Sequence, residues 1–381
     1  MSGQQLLLTG ATGIVGCELV RELLRRPDPP EILALLRGED DEIEAKRNWL
    51  CTWAEVPAER AARLRAIRGD VRCAGLGIAE RDLPCARAVT GILHAAAVTR
   101  FDQAPEEART NNLAATIHVL DHARRCDRLV RVGILSTAFV AGRRRGVILE
   151  EDLDTGADFN NEYERSKALA EKAARLAMRD LPVDVYRLSI VVGRRIDGHI
   201  SQASGIYPIF RLFHEGLLAM FPGSPGQTVD LIPSDFAASA VCHLFAGPHA
   251  PGATYHVCAG VDRSLGLEEV FPVIDSILLE CDPGWRGRGQ PLPLFVEAGV
   301  FGRFVDVAEL TGNRRLRQII RQVRQVTRQM EAPKVFDTRA FDRALQGQPG
   351  MLLPHARVWM QQVIARGFAT GWRQVVPGRA K

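Results

Sequence analysis

The sequence predicts a doubly wound parallel α/β sheet joined to a smaller, discontinuous, mainly helical C-terminal region. Three observations carry this. Short apolar runs alternate with amphipathic helical stretches through the first half of the chain. A glycine-rich turn closes the first apolar run and opens the first helix. Near residue 195 the alternation breaks down.

Taken in order, Gln5 to Thr9 reads as a buried strand, and Ile14 to Arg26 as a helix stopped by Pro27. Glu31 to Arg37 is a second strand, and Ala61 to Gly69 leads to a third edge that ends at Asp70-Val71. Ala88 to Ala97 is a strand, Glu106 to Cys126 a helix and Leu129 to Ser136 a strand. Glu162 to Arg179 is a long helix, followed by a strand from Val183 to Val192. The segment from Ile196 to Gln227, rich in glycine, proline and aromatic residues, reads as a substrate cover. Gln227 to Ser234 and Ala253 to Val257 are expected to return to the main sheet. From Ser264 onward, helical patterns are separated by proline-rich breaks at 283–293, 331–334 and 348–354.

Composition excludes several functions. Of 381 residues, 46% are hydrophobic and 25% charged, enough for a large core. The net charge of +4 is too mild for a nucleic-acid partner. The eight cysteines form no C-x-x-C pair, so no metal site is expected. They fit a reducing, cytoplasmic setting. The N-terminal apolar run, Leu6 to Leu8, follows no basic segment, so a strand is expected there and not a secretory signal. No stretch of about 18 apolar residues exists to span a membrane.

Thr9 to Gly16 spells T-G-x-x-G-x-x-G at a strand-to-helix junction. Gly10 permits the tight turn, Gly13 lets backbone approach a pyrophosphate, and Gly16 lets the helix pack on the strand. Thr12, Ile14 and Val15 complete the loop, whose helix N-terminus offers N–H groups to phosphate. This is the Rossmann dinucleotide turn. The second strand closes on Leu36-Arg37-Gly38, where an arginine suits the 2′-phosphate of NADP(H). Arg37 is the expected clamp and Arg47 a second donor, although Glu39 and Asp40 stand close enough to reach a ribose. Asp70 and Val71 are placed at the adenine, and Ala95 and Ala96 in a backbone passing close to the cofactor. An NADP-binding unit is thus expected over residues 1–200, rejoined by 227–260, with a substrate region at 201–226 and 261–381.

Tyr163 and Lys167 stand four apart on a predicted helix, on one face. An ammonium beside a phenol favours the phenolate, so Tyr163 is expected to have a lowered pKa and to exchange a proton with a carbonyl oxygen. Lys167 can also reach the nicotinamide ribose. Ser136 and Thr137 end a strand at the crevice, where a hydroxyl can donate to the same oxygen. Asn112, on the preceding helix, can fix a water in a proton path. His94 is read as a structural donor.

The order of these motifs resembles extended short-chain dehydrogenase/reductases. The connecting segments resemble fatty acyl-CoA reductases and thioester reductase domains more closely. His94 to Phe101 looks like their H-x-A-A-x-x-x-F, and Asn112 to Thr116 their N-x-x-G-T with Ala115 in place of glycine. Leu135 to Val140 is similar to S-T-x-x-V, Arg187 to Gly193 to R-x-x-x-V-x-G, and Leu231 to Asp235 to V-P-V-D. The resemblance covers about residues 5–245. It implies Thr137, Tyr163 and Lys167 as the catalytic set, with Ser136 supporting. It implies NADPH-dependent reduction of an acyl thioester to aldehyde, and then to alcohol if a second hydride follows. No adenylation or carrier motif is present, so an acyl carrier protein or CoA is expected in trans.

Two basic features can receive a partner. Arg143 to Arg145 follows the Ser-Thr strand and is expected at the crevice mouth, near a phosphopantetheine or CoA phosphate. Thr311 to Met330 is an amphipathic helix with six arginines; it can dock on an acidic protein, lie on an anionic membrane, or bury its stripe on the enzyme. Oligomeric state is not legible. The same residues also serve a ketone or hydroxysteroid-type dehydrogenase or a nucleotide-sugar epimerase. A non-catalytic NADP sensor would not need the proton donor. A hydrophobic groove around Ile206 to Phe221 would favour the thioester reductase.

Overall fold

The computed structural model describes residues 4–372, apart from 155, 157, 225, 249–250, 286–290, 311–313, 315–316, 318–319, 321–322, 325–326 and 349–350. Its centre is a seven-stranded sheet. The strands are β1 (Gln5–Thr9), β2 (Glu31–Leu36), β3 (Leu64–Arg68), β4 (Gly91–His94), β5 (Arg131–Thr137), β7 (Val183–Leu188) and β12 (Thr254–Val257), in the order β12-β7-β5-β4-β1-β2-β3. Every neighbouring pair is parallel. The strand order reverses between β1 and β4, and the crevice at their carboxyl ends is where a doubly wound sheet receives a ligand.

Alternation builds the two faces. Leu7, Leu33, Leu35, Ile92, Val132 and Val183 point to one core. Their neighbours Leu6, Leu8, Ile32, Ala34, Leu93 and Leu135 point to the other. Helices α1 (Ile14–Arg25), α2 (Asp40–Ala54), α3 (Ala115–Ala123) and α4 (Glu162–Ala177) cover them. The helix expected from Glu106 begins as one α-turn, Pro105–Ala108, and continues as a π-turn, Arg109–Ala114, before α3. Such turns are rare and gather at functional sites.

Three expectations are corrected. The third strand stops at Arg68, so Asp70 and Val71 lie in the following turn, where the Asp70 N–H bonds Leu76 O at 2.7 Å. The strand expected over Val183 to Val192 divides at Ser189 into β7 and β8 (Ile190–Val192). The return at 227–234 does not enter the main sheet: β12 already occupies the free edge of β7, so β11 (Leu231–Pro233) pairs with β8. β10 (Thr228–Val229) pairs with β13 (Leu265–Gly266).

Beyond them come α5 (Tyr207–His214), α6 (Ser234–Ala246), α7 (Leu267–Cys281), α8 (Ala298–Leu310), α9 (Arg339–Ala344) and α10 (Ala356–Ala369). Two small parallel ladders, β9 (Met220–Pro222) with β14 (Leu294–Val296) and β6 (Gly146–Ile148) with β15 (Lys334–Phe336), fasten this part to the rest. Among the described residues no helix is long and apolar enough to cross a membrane. All eight cysteines are free thiols.

Candidate active site

The glycine turn is built for close backbone approach. Gly10 has φ +71°, and a Cβ there would lie 2.4 Å from Ala96 N. A Cβ on Gly16 would lie 2.0 Å from Gly10 O, so neither position takes a side chain. Gly13 N donates to Gly10 O at 2.9 Å, and Gly13 caps α1 without a side-chain hydrogen bond. Gly13, Ile14, Val15 and Gly16 therefore line a cavity of about 470 Å³ with the helix's uncapped first turn. Gly10 and Thr12 shape the turn from outside the cavity wall. Ala95 and Ala97 are in the wall, and Ala96 backs Gly10, its N–H bonded to Thr9 Oγ1 at 3.3 Å. His94 bridges Thr9 Oγ1 at 2.7 Å and Thr116 Oγ1 at 3.2 Å, and burial with the Lys167 charge pushes its pKa down to about 3. It is a neutral tie between strand and helix.

At the end of β2, Arg37 is exposed and lies close enough to Asp70 to favour its ionised form. Glu39 is committed elsewhere. Its backbone N–H donates to Glu42 at 3.3 Å, and its carboxylate receives Arg68 at 2.9 Å on each oxygen. Arg47 does not join Arg37: its Nε donates to Leu64 O at 2.9 Å and its Nη1 to Glu44 at 3.3 Å, which ties α2 to β3. Lys46 takes that place, its Nζ 2.5 Å from Arg37 O. Asp70 receives the Arg72 N–H at 2.9 Å and Arg72 Nη2 at 2.6 Å; burial raises its carboxyl, but Arg72 holds it below the usual range. The Val71 carbonyl accepts from His118 at 2.9 Å.

The catalytic candidates converge. Thr137, the last residue of β5, accepts the Phe139 N–H at 3.3 Å, and its hydroxyl lies close enough to the Tyr163 phenol to lower that phenol's pKa against the effect of burial. Tyr163 stands in the first turn of α4, whose cap Asn161 accepts the Glu164 N–H at 2.9 Å. Its ring packs on Phe101, centroids 5.9 Å apart. Thr137, Tyr163 and Lys167 all line the cavity that the glycine turn opens. The expected acidic phenol is corrected. Lys167 turns its ammonium to Leu135 O at 2.7 Å. Burial pushes Tyr163 up to about 12, the Thr137 bond opposing and Glu164 adding. Lys167 is pushed down to about 8 by burial, against the raising charge of Glu171. The phenol therefore keeps its proton in this structure.

Ser136 and Asn112 have other tasks than those expected. Ser136 is in the wall, but its hydroxyl donates to Glu171 at 2.8 Å. Asn112, in the π-turn, accepts from Val98 N at 3.0 Å and donates to Val98 O at 3.3 Å and Ser166 Oγ at 2.9 Å. Its amide clamps the loop after β4 to α4.

Of the expected groove, Ile206 and Pro208 line the cavity, whereas Phe210, Phe213 and Phe221 are spent on the core. Phe101, Phe139 and Gln329 complete the wall without having been singled out from sequence. Phe101 closed the H-x-A-A-x-x-x-F stretch, and Phe139 follows Thr137 closely; Gln329 carried no signal. The Arg143 to Arg145 run is not in the cavity wall: Arg144 pairs with Asp152 at 2.8 Å and Arg145 reaches Glu331 O at 3.1 Å. In the arginine-rich helix, Ile320, Val323 and Met330 are buried in the main core, so this face lies on the protein body. Leu316, Ile319, Val326, Arg315 and Arg321 lie outside the described residues.

Comparison with known proteins agrees with the resemblance seen in the sequence. The profile of the NAD-binding male sterility protein family matches residues 8–241. The nonribosomal peptide synthetase asaC of Aspergillus flavus is 27% identical over 66% of this chain and 26% of its own length. The fatty acyl-CoA reductase wat of Drosophila melanogaster is 25% identical over 62% of this chain and 53% of its own length. The chain thus spans about a quarter to a half of these relatives. In fold, the terminal R domain of the myxalamid PKS-NRPS pathway superposes with a TM-score of 0.80 at 24% identity, covering 99% of this chain and 94% of that domain.

Proposed function

The chain belongs to the male sterility protein family of NAD-binding domains, and on that premise we propose that it is an NADPH-dependent reductase converting an acyl thioester to aldehyde and thiol. One observation carries the reading. A single cavity joins the uncapped α1 N-terminus to Thr137, Tyr163 and Lys167, and much of its remaining wall is apolar, with Phe101, Phe139, Leu188, Val191 and Ile206. The glycine turn fits a dinucleotide: Gly10 and Gly16 leave room only for backbone, and the first-turn N–H groups face the space a pyrophosphate needs. Arg37 is the proposed partner of the 2′-phosphate, with Lys46 beside it; Glu39, bound by Arg68, is withdrawn from the ribose. Asp70 and Val71 would border the adenine.

When bound, the reduced nicotinamide supplies a hydride. The residues of the chain do the rest. The apolar wall holds the acyl chain and excludes water. The Thr137 hydroxyl and Tyr163 phenol orient the carbonyl oxygen, and Tyr163 gives it a proton as charge develops there. Lys167, its ammonium on Leu135 O, adds a positive charge to the same cavity wall. The resulting hemithioacetal collapses, its hydroxyl proton passing to the leaving sulfur. One thioester, one NADPH and one proton thus give one aldehyde, one thiol and one NADP⁺. Asn112 and Ser136 position this set without touching substrate. The thiol belongs to coenzyme A or to a carrier protein, and the same residues can reduce the aldehyde again.

The test is to mix the protein with NADPH and decanoyl-CoA, decanal or 2-decanone and to follow reduced-nicotinamide absorbance, free thiol and products. Thiol and decanal appearing with loss of NADPH is the expected result. Turnover of the ketone alone, or of nothing, would end the proposal.

A further inference from the structure

One wall residue from far along the chain has no part in the chemistry above. Gln329 lies on a short 3-10 turn, Arg328–Met330, and lines the cavity although it is otherwise buried. The turn is held in place: Gln227 Nε2 donates to Met330 O at 2.9 Å and Arg328 Nη1 to Asn160 O at 3.4 Å. Three residues on, Gly146 N donates to Pro333 O at 3.0 Å and the β6–β15 ladder begins. This side chain is therefore pre-positioned.

Its orientation is set by Glu164, the residue after Tyr163. The Glu164 carboxylate is buried and faces N–H donors: Asn160 N at 2.9 Å, Asn160 Nδ2 at 3.0 Å and Asn161 Nδ2 at 3.5 Å. Burial raises its carboxyl's pKa, and the Asn160 donors, the Lys334 charge and the Gln329 amide oppose that rise. A carboxylate so surrounded accepts only, so Gln329 must turn its NH₂ towards it; Nε2 stands 3.4 Å from Glu164 Oε1. The amide carbonyl then points the other way. The cavity sees an acceptor of fixed direction, which calls for a donor on the ligand. A thioester carbonyl, an aldehyde and a hydrocarbon chain have none. An amide N–H on the thiol arm of the substrate has one.

We propose that Gln329 is a specificity-determining residue that accepts a hydrogen bond from an amide N–H in the thiol arm of the thioester. The inference rests on the thioester reading above. It makes the arm, and not only the acyl chain, part of what the cavity recognises. It also places that contact one hydrogen bond from the residue that follows the proton donor.

The experiment compares two decanoyl thioesters, one of N-acetylcysteamine, which carries an amide, and one of ethanethiol, which does not. The readout is the ratio of their kcat/KM values in wild type and in Gln329→Met, which keeps the length and loses the acceptor, with Gln329→Ala as a second variant. A neutral hydrogen bond corresponds to about fivefold. Wild type should prefer the amide-bearing ester by about that factor, mainly through KM, and both variants should bring the ratio near one. If the ratio survives in the variants while both esters slow equally, Gln329 acts only by supporting α4 and the proposal is wrong. If the KM for NADPH rises instead, the carbonyl serves the nicotinamide amide and the proposal is again wrong. A wild type that shows no preference overturns the inference and leaves thioester reduction standing. A wild type that reduces decanal but neither ester overturns both.

Discussion

Replacing Tyr163 by phenylalanine isolates the proton. The substitution removes one oxygen and keeps the ring against Phe101, 5.9 Å away. The structural loss is at most the polar contact with Thr137, worth no more than about 0.5–1.5 kcal/mol. The chemical loss is larger. Burial holds this phenol's pKa up at about 12, so it is protonated across the working range, and it is the proposed donor to the reacting oxygen. A positioned general acid accounts for about 10²- to 10⁴-fold in rate, or roughly 2.7–5.4 kcal/mol of barrier. The glycine turn and Arg37 are untouched, so the Kd for NADPH should stay within about threefold. Steady-state turnover of decanoyl-CoA and decanal, with NADPH binding followed by its fluorescence, measures both terms on one preparation. Turnover within tenfold of wild type would mean that another group gives the proton. A Kd that worsens as much as the rate would mean that the hydroxyl holds cofactor, not substrate oxygen.

The remaining predictions address neighbouring links. With Lys167 pushed down to about 8, its charge is present below that pH and lost above it, so kcat/KM for reduction should fall as pH rises through about 8; a profile flat to pH 10 would remove the lysine from the chemistry. Arg37→Ala should raise the KM for NADPH by about tenfold or more and leave that for NADH little changed, whereas Arg47→Ala, whose guanidinium serves Leu64 and Glu44, should leave the ratio of the two unaltered; equal losses of NADH and NADPH in Arg37→Ala would refute the clamp. Gly16→Ala should abolish cofactor binding or folding, because its methyl would sit 2.0 Å from Gly10 O, and an alanine variant that binds NADPH normally would contradict the turn's geometry. Arg187→Met should cost roughly 3–5 kcal/mol in urea unfolding, since it leaves Glu171 buried with one arginine fewer, and a loss below about 1 kcal/mol would show that Arg175 suffices.

The sheet was legible because its signals are local. Each strand is a run of buried apolar residues, and the glycine spacing marks the one junction where backbone must approach backbone. That Thr137, Tyr163 and Lys167 would share one cavity was legible for the same reason: a helical i, i+4 pair and a strand end are short-range patterns. What escaped the sequence depends on partners far along the chain. That Glu39 is withdrawn by Arg68, or Ser136 by Glu171, rests on contacts across 29 and 35 residues. Nor can spacing say whether a lysine faces the tyrosine one turn away or a carbonyl beneath it. The strand expected over 227–234 went astray because its segment is as apolar as a sheet strand, but the edge it would have taken was filled by β12.

The withdrawn residues are not idle, and they explain how Lys167 keeps a charge in so buried a place. Burial alone lowers an ammonium's pKa. Glu171, one turn further along α4, opposes this, and can do so only if it stays ionised. It is itself buried, yet its carboxyl is held below the ordinary range by Arg187 and Arg175, with the Ser136 hydroxyl at 2.8 Å. Arg187 is held in turn by His256 at 3.0 Å, and by the Leu149 and Asp152 carbonyls. His256 stays neutral, pushed by burial and the Arg187 charge down to about 4, so it accepts at one ring nitrogen and donates to Asp337 O at 2.8 Å from the other. Glu150 receives the His256 backbone N–H at 2.9 Å and caps α9 through Ala340 N at 2.7 Å. The charge on Lys167 is thus supported by contacts that begin at the helix N-terminus of α9 and run through the outermost strand. Residues outside the cavity wall thereby help set the pH at which Lys167 loses its charge.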